Sequence, residues 1–230
     1  CIAGGVMAVY IALGVPAEYL IAASLMAAPG ALVISKIVWP ETEVSETQGN
    51  VSLEVKKTNA NLVDAISHGA SDGLKVGLNV IAMLIGFIAI IALLDYVLGK
   101  IGAGLGHLGL TLAFMGIDIN TLSLNQILGS LFSLFAWVMG VPGKDIQVAG
   151  SLMGTKMVIN EFVAYLDLAK IKETLDPKTL IITSFALCGF ANFSSIAIQV
   201  GGIGELAPER RTDLAKLGVK ALICGTLASY

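Results

Sequence analysis

Charge is what this chain has least of. Only 13% of its 230 residues are Asp, Glu, Lys or Arg, about half the roughly 25% usual for soluble domains. At 56% hydrophobic residues, the deficit points to a helical integral membrane protein. The ten-residue segments of alternating polarity that mark a membrane β-barrel are missing. There is no basic patch, and a net charge of −3 gives no footing for nucleic acid. Three cysteines, Cys1, Cys188 and Cys224, lie in apolar context without metal spacing and read as small buried thiols. The two histidines, His68 and His107, are isolated, and neither has a second ligand at metal spacing. No Gly-x-Ser-x-Gly, Walker loop or cysteine pair is present, so hydrolysis and nucleotide-driven pumping have no support.

What the chain does have is long uncharged segments. The stretch from Thr179 to Gly204 carries no charged residue and exceeds the roughly 20 residues that cross a bilayer. Its centre, Gly189-Phe190-Ala191-Asn192-Phe193-Ser194-Ser195, holds a helix-weakening glycine and three polar side chains. Irregular backbone at membrane depth is tolerated only where it is buried in protein or lines a wet cavity. Discontinuous helices of this kind build substrate and ion sites in secondary transporters.

Elsewhere the chain divides by polarity. Residues 1–14 read as the second half of a membrane helix. Val15-Pro16-Ala17-Glu18 is a turn, and residues 19–39 are a span that Ala27-Ala28-Pro29-Gly30 would kink or break. Residues 41–60 are an aqueous loop. Residues 61–77 have the spacing of an amphipathic helix lying on the membrane surface, and residues 76–98 form the cleanest span. Residues 101–118 are glycine-rich and irregular, and residues 122–139 suit an interfacial or buried helix. Residues 145–168 are interrupted by Lys156, Glu161 and Asp167. Each half is too short to cross alone, so a re-entrant hairpin is expected. A last helix begins near Thr212 and is cut off by the chain end. A start at Cys1 and an end at Tyr230, both in apolar sequence, suggest a piece of a longer membrane protein. Lys and Arg in the flanks divide eight against five. That bias sets residues 41–75 and 205–216 in the cytoplasm and residues 101–145 and 170–178 outside.

Glu161 is the sharpest single residue. A carboxylate at membrane depth costs about 3 kcal/mol on insertion scales and is a functional candidate by default. The plainer reading makes it a structural partner of Lys156, five positions earlier, or of a backbone donor. Asn192, Ser194 and Ser195 read either as a polar site or as helix–helix glue. Asp118, Asp145 and Asp167 lie near segment ends, where solvated positions are expected.

The stretches Ala27-Ala28-Pro29-Gly30, Asn160-Glu161-Phe162-Val163-Ala164-Tyr165 and Leu187-Cys188-Gly189-Phe190-Ala191-Asn192-Phe193-Ser194-Ser195, with Pro208-Glu209-Arg210-Arg211, resemble the concentrative nucleoside transporter family along almost the whole chain, as its C-terminal portion. The resemblance implies an all-α, inverted-repeat transporter with re-entrant helical hairpins and broken transmembrane helices. It implies a sodium-coupled, in some members proton-coupled, nucleoside symporter, homotrimeric and multi-pass in the inner or plasma membrane, with no cofactor beyond the coupling ion and no enzymatic activity. Residues 1–40 would end the first repeat. Residues 41–77 would be a cytoplasmic loop and interfacial helix, and residues 78–100 a scaffold span. Residues 101–230 would be the second repeat, with its hairpin at 145–168 and its broken helix at 179–204.

On that pattern Glu161 falls at the hairpin carboxylate that binds ribose hydroxyls. Asn192 and Ser195 fall at ribose-binding positions, Phe190 at the pocket wall and Val6 at the valine that packs on the nucleobase. Cys1 and Ile2 fall where the unwound helix gives sodium ligands. Cys1 stands where a serine is familiar, and a thiol is a poorer sodium ligand than a hydroxyl. The family's first hairpin would precede Cys1, so the chain would carry the ribose half of the site. The reading from another class is a gating or ion-handling membrane module that shares the hairpin architecture and takes no organic substrate.

Overall fold

The computed structural model describes residues 4–42, 44, 49, 60–107 and 117–230, without the side chains at 80, 83, 84 and 87. Its regular elements are all helical: α1 (Gly4–Ala12), α2 (Ala17–Val38), α3 (Leu62–His107), α4 (Leu124–Val138), α5 (Ile146–Val158), α6 (Glu161–Ile171), α7 (Pro177–Leu187), α8 (Phe193–Leu206) and α9 (Arg211–Ser229), with short 3-10 turns between some of them.

The half-helix α1 ends where Gly14 takes φ +88°, a conformation that costs glycine nothing. Val15 N–H closes the turn on Tyr10 O at 3.1 Å, and Pro16 stands before α2 with φ −59°. α2 runs unbroken through Pro29, so the Ala-Ala-Pro-Gly step does not end the helix. Proline is tolerated in membrane helices because neighbouring groups satisfy the carbonyl it frees, and α9 lies alongside α2.

The 46 residues of α3 extend about 69 Å at 1.5 Å per residue, more than twice the roughly 30 Å hydrocarbon core. The structure therefore corrects two expectations. Residues 61–77 are not a separate surface helix but the first turns of α3, and residues 101–107 are helical rather than irregular. No proline interrupts the helix, and Gly102 and Gly106 let the chain at Ile119 and Asn120 approach closely. Residues 108–116 lie outside the described residues. Asn79 Nδ2 donates to Glu205 Oε2 at 3.0 Å, and Leu124 N–H donates to Asp95 Oδ1 at 2.7 Å. These ties are sixteen residues apart along α3, about 24 Å.

Ser123 caps α4 by accepting from Gln126 N–H. α4 packs closely on α5 through Gly129, Gly150 and Gly154: a Cβ at Gly150 would meet Gly129 O and Ser133 N, each at 2.6 Å. Small residues that let two helix backbones approach are a common membrane packing device. α5 and α6 then form the re-entrant hairpin. At 13 and 11 residues they reach about 20 and 17 Å, too short to cross. α7 and α8 are the two halves of the broken helix. Asp176 caps α7 at Lys178 N–H with Pro177 in the first turn, and Asn192 caps α8. α2 packs against α9.

Candidate functional site

Among the described residues three charged side chains are buried: Asp145, Lys156 and Glu161. All belong to the hairpin or its foot, while the ion pairs found are between exposed side chains. The hairpin tip meets the break in the α7–α8 helix, and its polar groups divide between the two helix ends exposed there.

On the α8 side, Asn160 caps α6 by accepting from Val163 N–H at 2.9 Å. This places Glu161 at the first position of α6, 6% exposed, where the partial positive charge of a helix N-terminus favours a carboxylate. Asn192 caps α8: its Oδ1 accepts from Ser195 N–H at 2.8 Å. With the oxygen so committed, Nδ2 is free to donate, and it does so to Glu161 Oε2 at 2.8 Å. Ser195 Oγ lies 2.9 Å from Asn192 Oδ1 and also contacts Phe190 O. One hydroxyl proton serves one of these at a time, which leaves its lone pairs as acceptors. Ser194, in contrast, is buried.

On the α7 side, the last carbonyls of the helix have no intrahelical donor, and the hairpin supplies two. Lys156 Nζ, fully buried, donates to Ala186 O at 2.7 Å. Tyr165 Oη donates to Ser184 O at 2.7 Å. No ion pair joins Lys156 to Glu161 among the described residues, so the plainer reading of Glu161 as the partner of Lys156 is replaced by Asn192 for one and Ala186 for the other. Sequence reasoning named Lys156 only as a possible partner of Glu161 and gave Tyr165 no role of its own.

Phe190, Asn192 and Ser195 line one cavity of about 530 Å³ between α2, α8 and α9, together with Gln199, which sequence reasoning missed. Apart from these groups and Ser229 the lining is apolar, including Ile196, Val200 and Leu217. Glu161 stands one hydrogen bond behind the polar end. Val6 sits elsewhere, against the buried cluster that includes Tyr10, Leu20, Ala164 and Tyr165, and does not line this cavity. Tyr10 and Tyr165 stack there at 4.4 Å between ring centroids. The sodium positions expected at Cys1 and Ile2 lie outside the described residues. Among the described residues no group of three His, Cys, Asp or Glu could hold a metal.

Asp145 corrects another expectation. It is buried, at 5% exposure, at the foot of the hairpin. Its Oδ2 accepts from Thr179 Oγ1 at 2.7 Å and from Asp176 N–H at 2.9 Å. These bonds hold its carboxyl below the ordinary 3.8. The foot of the hairpin is thereby tied to the start of the broken helix. Asp167 is partly exposed and pairs with Lys170. Asp118 caps the turn before α4.

The family described as "Na+ dependent nucleoside transporter C-terminus" matches residues 19–230. An uncharacterized transporter of Bacillus subtilis, YutK, is 46% identical over 99% of this chain and 54% of its own length. The nucleoside permease NupC of Helicobacter pylori is 39% identical over all of this chain and 52% of its own length. Among solved structures, a CNTnw variant in an outward-facing state superposes with a TM-score of 0.81 at 44% identity, covering 99% of this chain and 52% of that one. The chain thus spans about half the length of these relatives. Its fold is that of an all-α multi-pass membrane transporter, and the chain belongs to the family of Na+ dependent nucleoside transporters, whose C-terminal region it carries.

Proposed function

We propose that this chain supplies the sugar-binding half of a sodium-coupled nucleoside symporter that works by alternating access in the cell membrane. The observation that carries the reading is the Asn192–Glu161 hydrogen bond at 2.8 Å, which joins the hairpin tip to the helix break and presents a buried carboxylate beside a polar cavity end. Carboxylate oxygens accept several hydrogen bonds, and charge-assisted ones are roughly twice as strong as neutral ones. Glu161 accepts from the sugar hydroxyls, Asn192 and Ser195 complete the ring of polar contacts, and Phe190 supplies an apolar wall. The names of NupC, a nucleoside permease, and of the Na+ dependent nucleoside transporter family support a nucleoside as substrate and sodium as the coupling ion.

Coupling follows from charge. A cation bound at Cys1 and Ile2 offsets the negative charge that Glu161 brings to membrane depth. By linkage, ion and nucleoside then favour each other's binding. The hairpin and broken helix move as one block, held by Asp145 at the foot and by the Glu161 and Lys156 contacts at the tip. α3 is the scaffold they move against and the surface on which a homotrimer assembles. The test is uptake by the full-length protein: Glu161→Ala abolishes sodium-driven nucleoside uptake while leaving membrane expression intact. Near-normal uptake by that variant would sink the proposal.

A further inference from the structure

The sugar site uses one end of the broken helix. The other end holds a charge to which that site gives no role. Lys156 is fully buried, and an ammonium so placed gives up its hydration and must be compensated by the groups around it. What it receives is specific. Ala186 O, 2.7 Å away, is one of the last carbonyls of α7, where the helix dipole is negative. The ring of Tyr230 lies 5.4 Å from Nζ, within the range of a cation–π contact. Gly189 keeps the place open: a Cβ there would lie 3.4 Å from Nζ and run into Ser229 Oγ. A carbonyl terminus of a broken helix at membrane depth is the kind of place where transporters hold a coupling cation.

We propose that Lys156 is a tethered cation: its ammonium occupies, from the hairpin, the position at the C-terminal end of α7 that a free monovalent cation would otherwise take. It is a positioning residue and touches no substrate. By neutralising the α7 terminus it fixes the break in the geometry that sets Asn192 against Glu161. The second half of the fold therefore carries its own tethered cation and needs none from solution at this point. The effect on substrate rests on the nucleoside reading; the cation site itself does not.

The experiment accordingly has a readout that needs no nucleoside. Full-length protein in detergent is melted with methylammonium chloride or with choline chloride, as wild type, Lys156→Ala and Lys156→Met. Lys156→Ala leaves a cavity that methylammonium fits, and a ligand that binds only the folded state raises Tm with concentration. The expected result is a lowered Tm for Lys156→Ala that methylammonium raises by several degrees. Wild type and Lys156→Met, whose sites are filled, show no such selective rise. Uridine affinity of Lys156→Ala falls by about tenfold or more, from loss of a charge-assisted hydrogen bond, and recovers in part with methylammonium. Equal responses of all three proteins to the two salts would overturn the proposal. Should Lys156→Ala fail to fold, Lys156→Met decides: wild-type Tm and uridine affinity overturn the proposal, and loss of both in a correctly assembled protein supports it. Wild type that binds no uridine in sodium contradicts the nucleoside reading instead and leaves the melting comparison valid.

Discussion

Asn192 joins Glu161 at 2.8 Å through its amide nitrogen while its amide oxygen caps α8 at Ser195 N–H. One side chain therefore does two separable things: it starts a helix at membrane depth and holds the hairpin carboxylate in place.

That separation gives the first prediction. Asp caps helices as well as Asn does, so Asn192→Asp keeps α8 intact. It also sets a second carboxylate against Glu161, which like-charge repulsion disfavours. We expect α8 to form as in wild type, with at least a tenfold loss of nucleoside affinity. Asn192→Ala, which also removes the cap, additionally lowers stability by about 1 kcal/mol. Melting and binding measured on both variants check the split.

Gly189 concerns packing. Any side chain there collides with Ser229 Oγ on α9, and overpacking of this kind costs roughly 1–3 kcal/mol. Gly189→Ala lowers Tm, and adding Ser229→Ala restores much of the loss. Additive losses in the double variant would show that the clash is not the cause.

The α4–α5 contact makes a harsher case, because the atoms in the way are backbone. A Cβ at Gly150 lies 2.6 Å from Gly129 O and from Ser133 N, and neither yields by rotating. Gly150→Ala should cost more than Gly143→Ala, whose Cβ meets nothing. Tm values for the two variants suffice to compare them.

The Asp145 clip predicts a pH dependence. Hydrogen bonds from Thr179 and from the backbone of Asp176 hold the carboxyl below its ordinary 3.8. A depressed folded-state value means that the stabilisation is complete above the ordinary value and is lost as pH falls from 3.8 towards the lower folded value. Wild type therefore loses stability through that window, while Asp145→Asn is less stable at neutral pH and flatter there. Melting curves across the acid range, with Thr179→Val as a second way to weaken the clip, test this.

Much of the site was legible because a membrane punishes irregularity. Polar residues in the uncharged 179–204 segment mark a break at 188–192, and two apolar halves too short to cross mark the hairpin. Lys156 and Asp145 were not legible, since their partners lie about thirty positions away and include backbone groups, Ala186 O and Asp176 N–H, which leave no trace in residue type. The boundary between residues 61–77 and the next span was misplaced for a different reason. Asp64, Asp72 and Lys75 signal an aqueous face but supply no terminator, so the helix continues through them.

The central claim is that Glu161, held by Asn192, reads the sugar hydroxyls. Its most direct test compares uridine with 2′,3′-dideoxyuridine binding to full-length wild type and Glu161→Ala in sodium. The account predicts a large penalty for the dideoxy analogue in wild type and almost none in the variant, because the partner of those hydroxyls is already gone. An equal penalty in both proteins would contradict it.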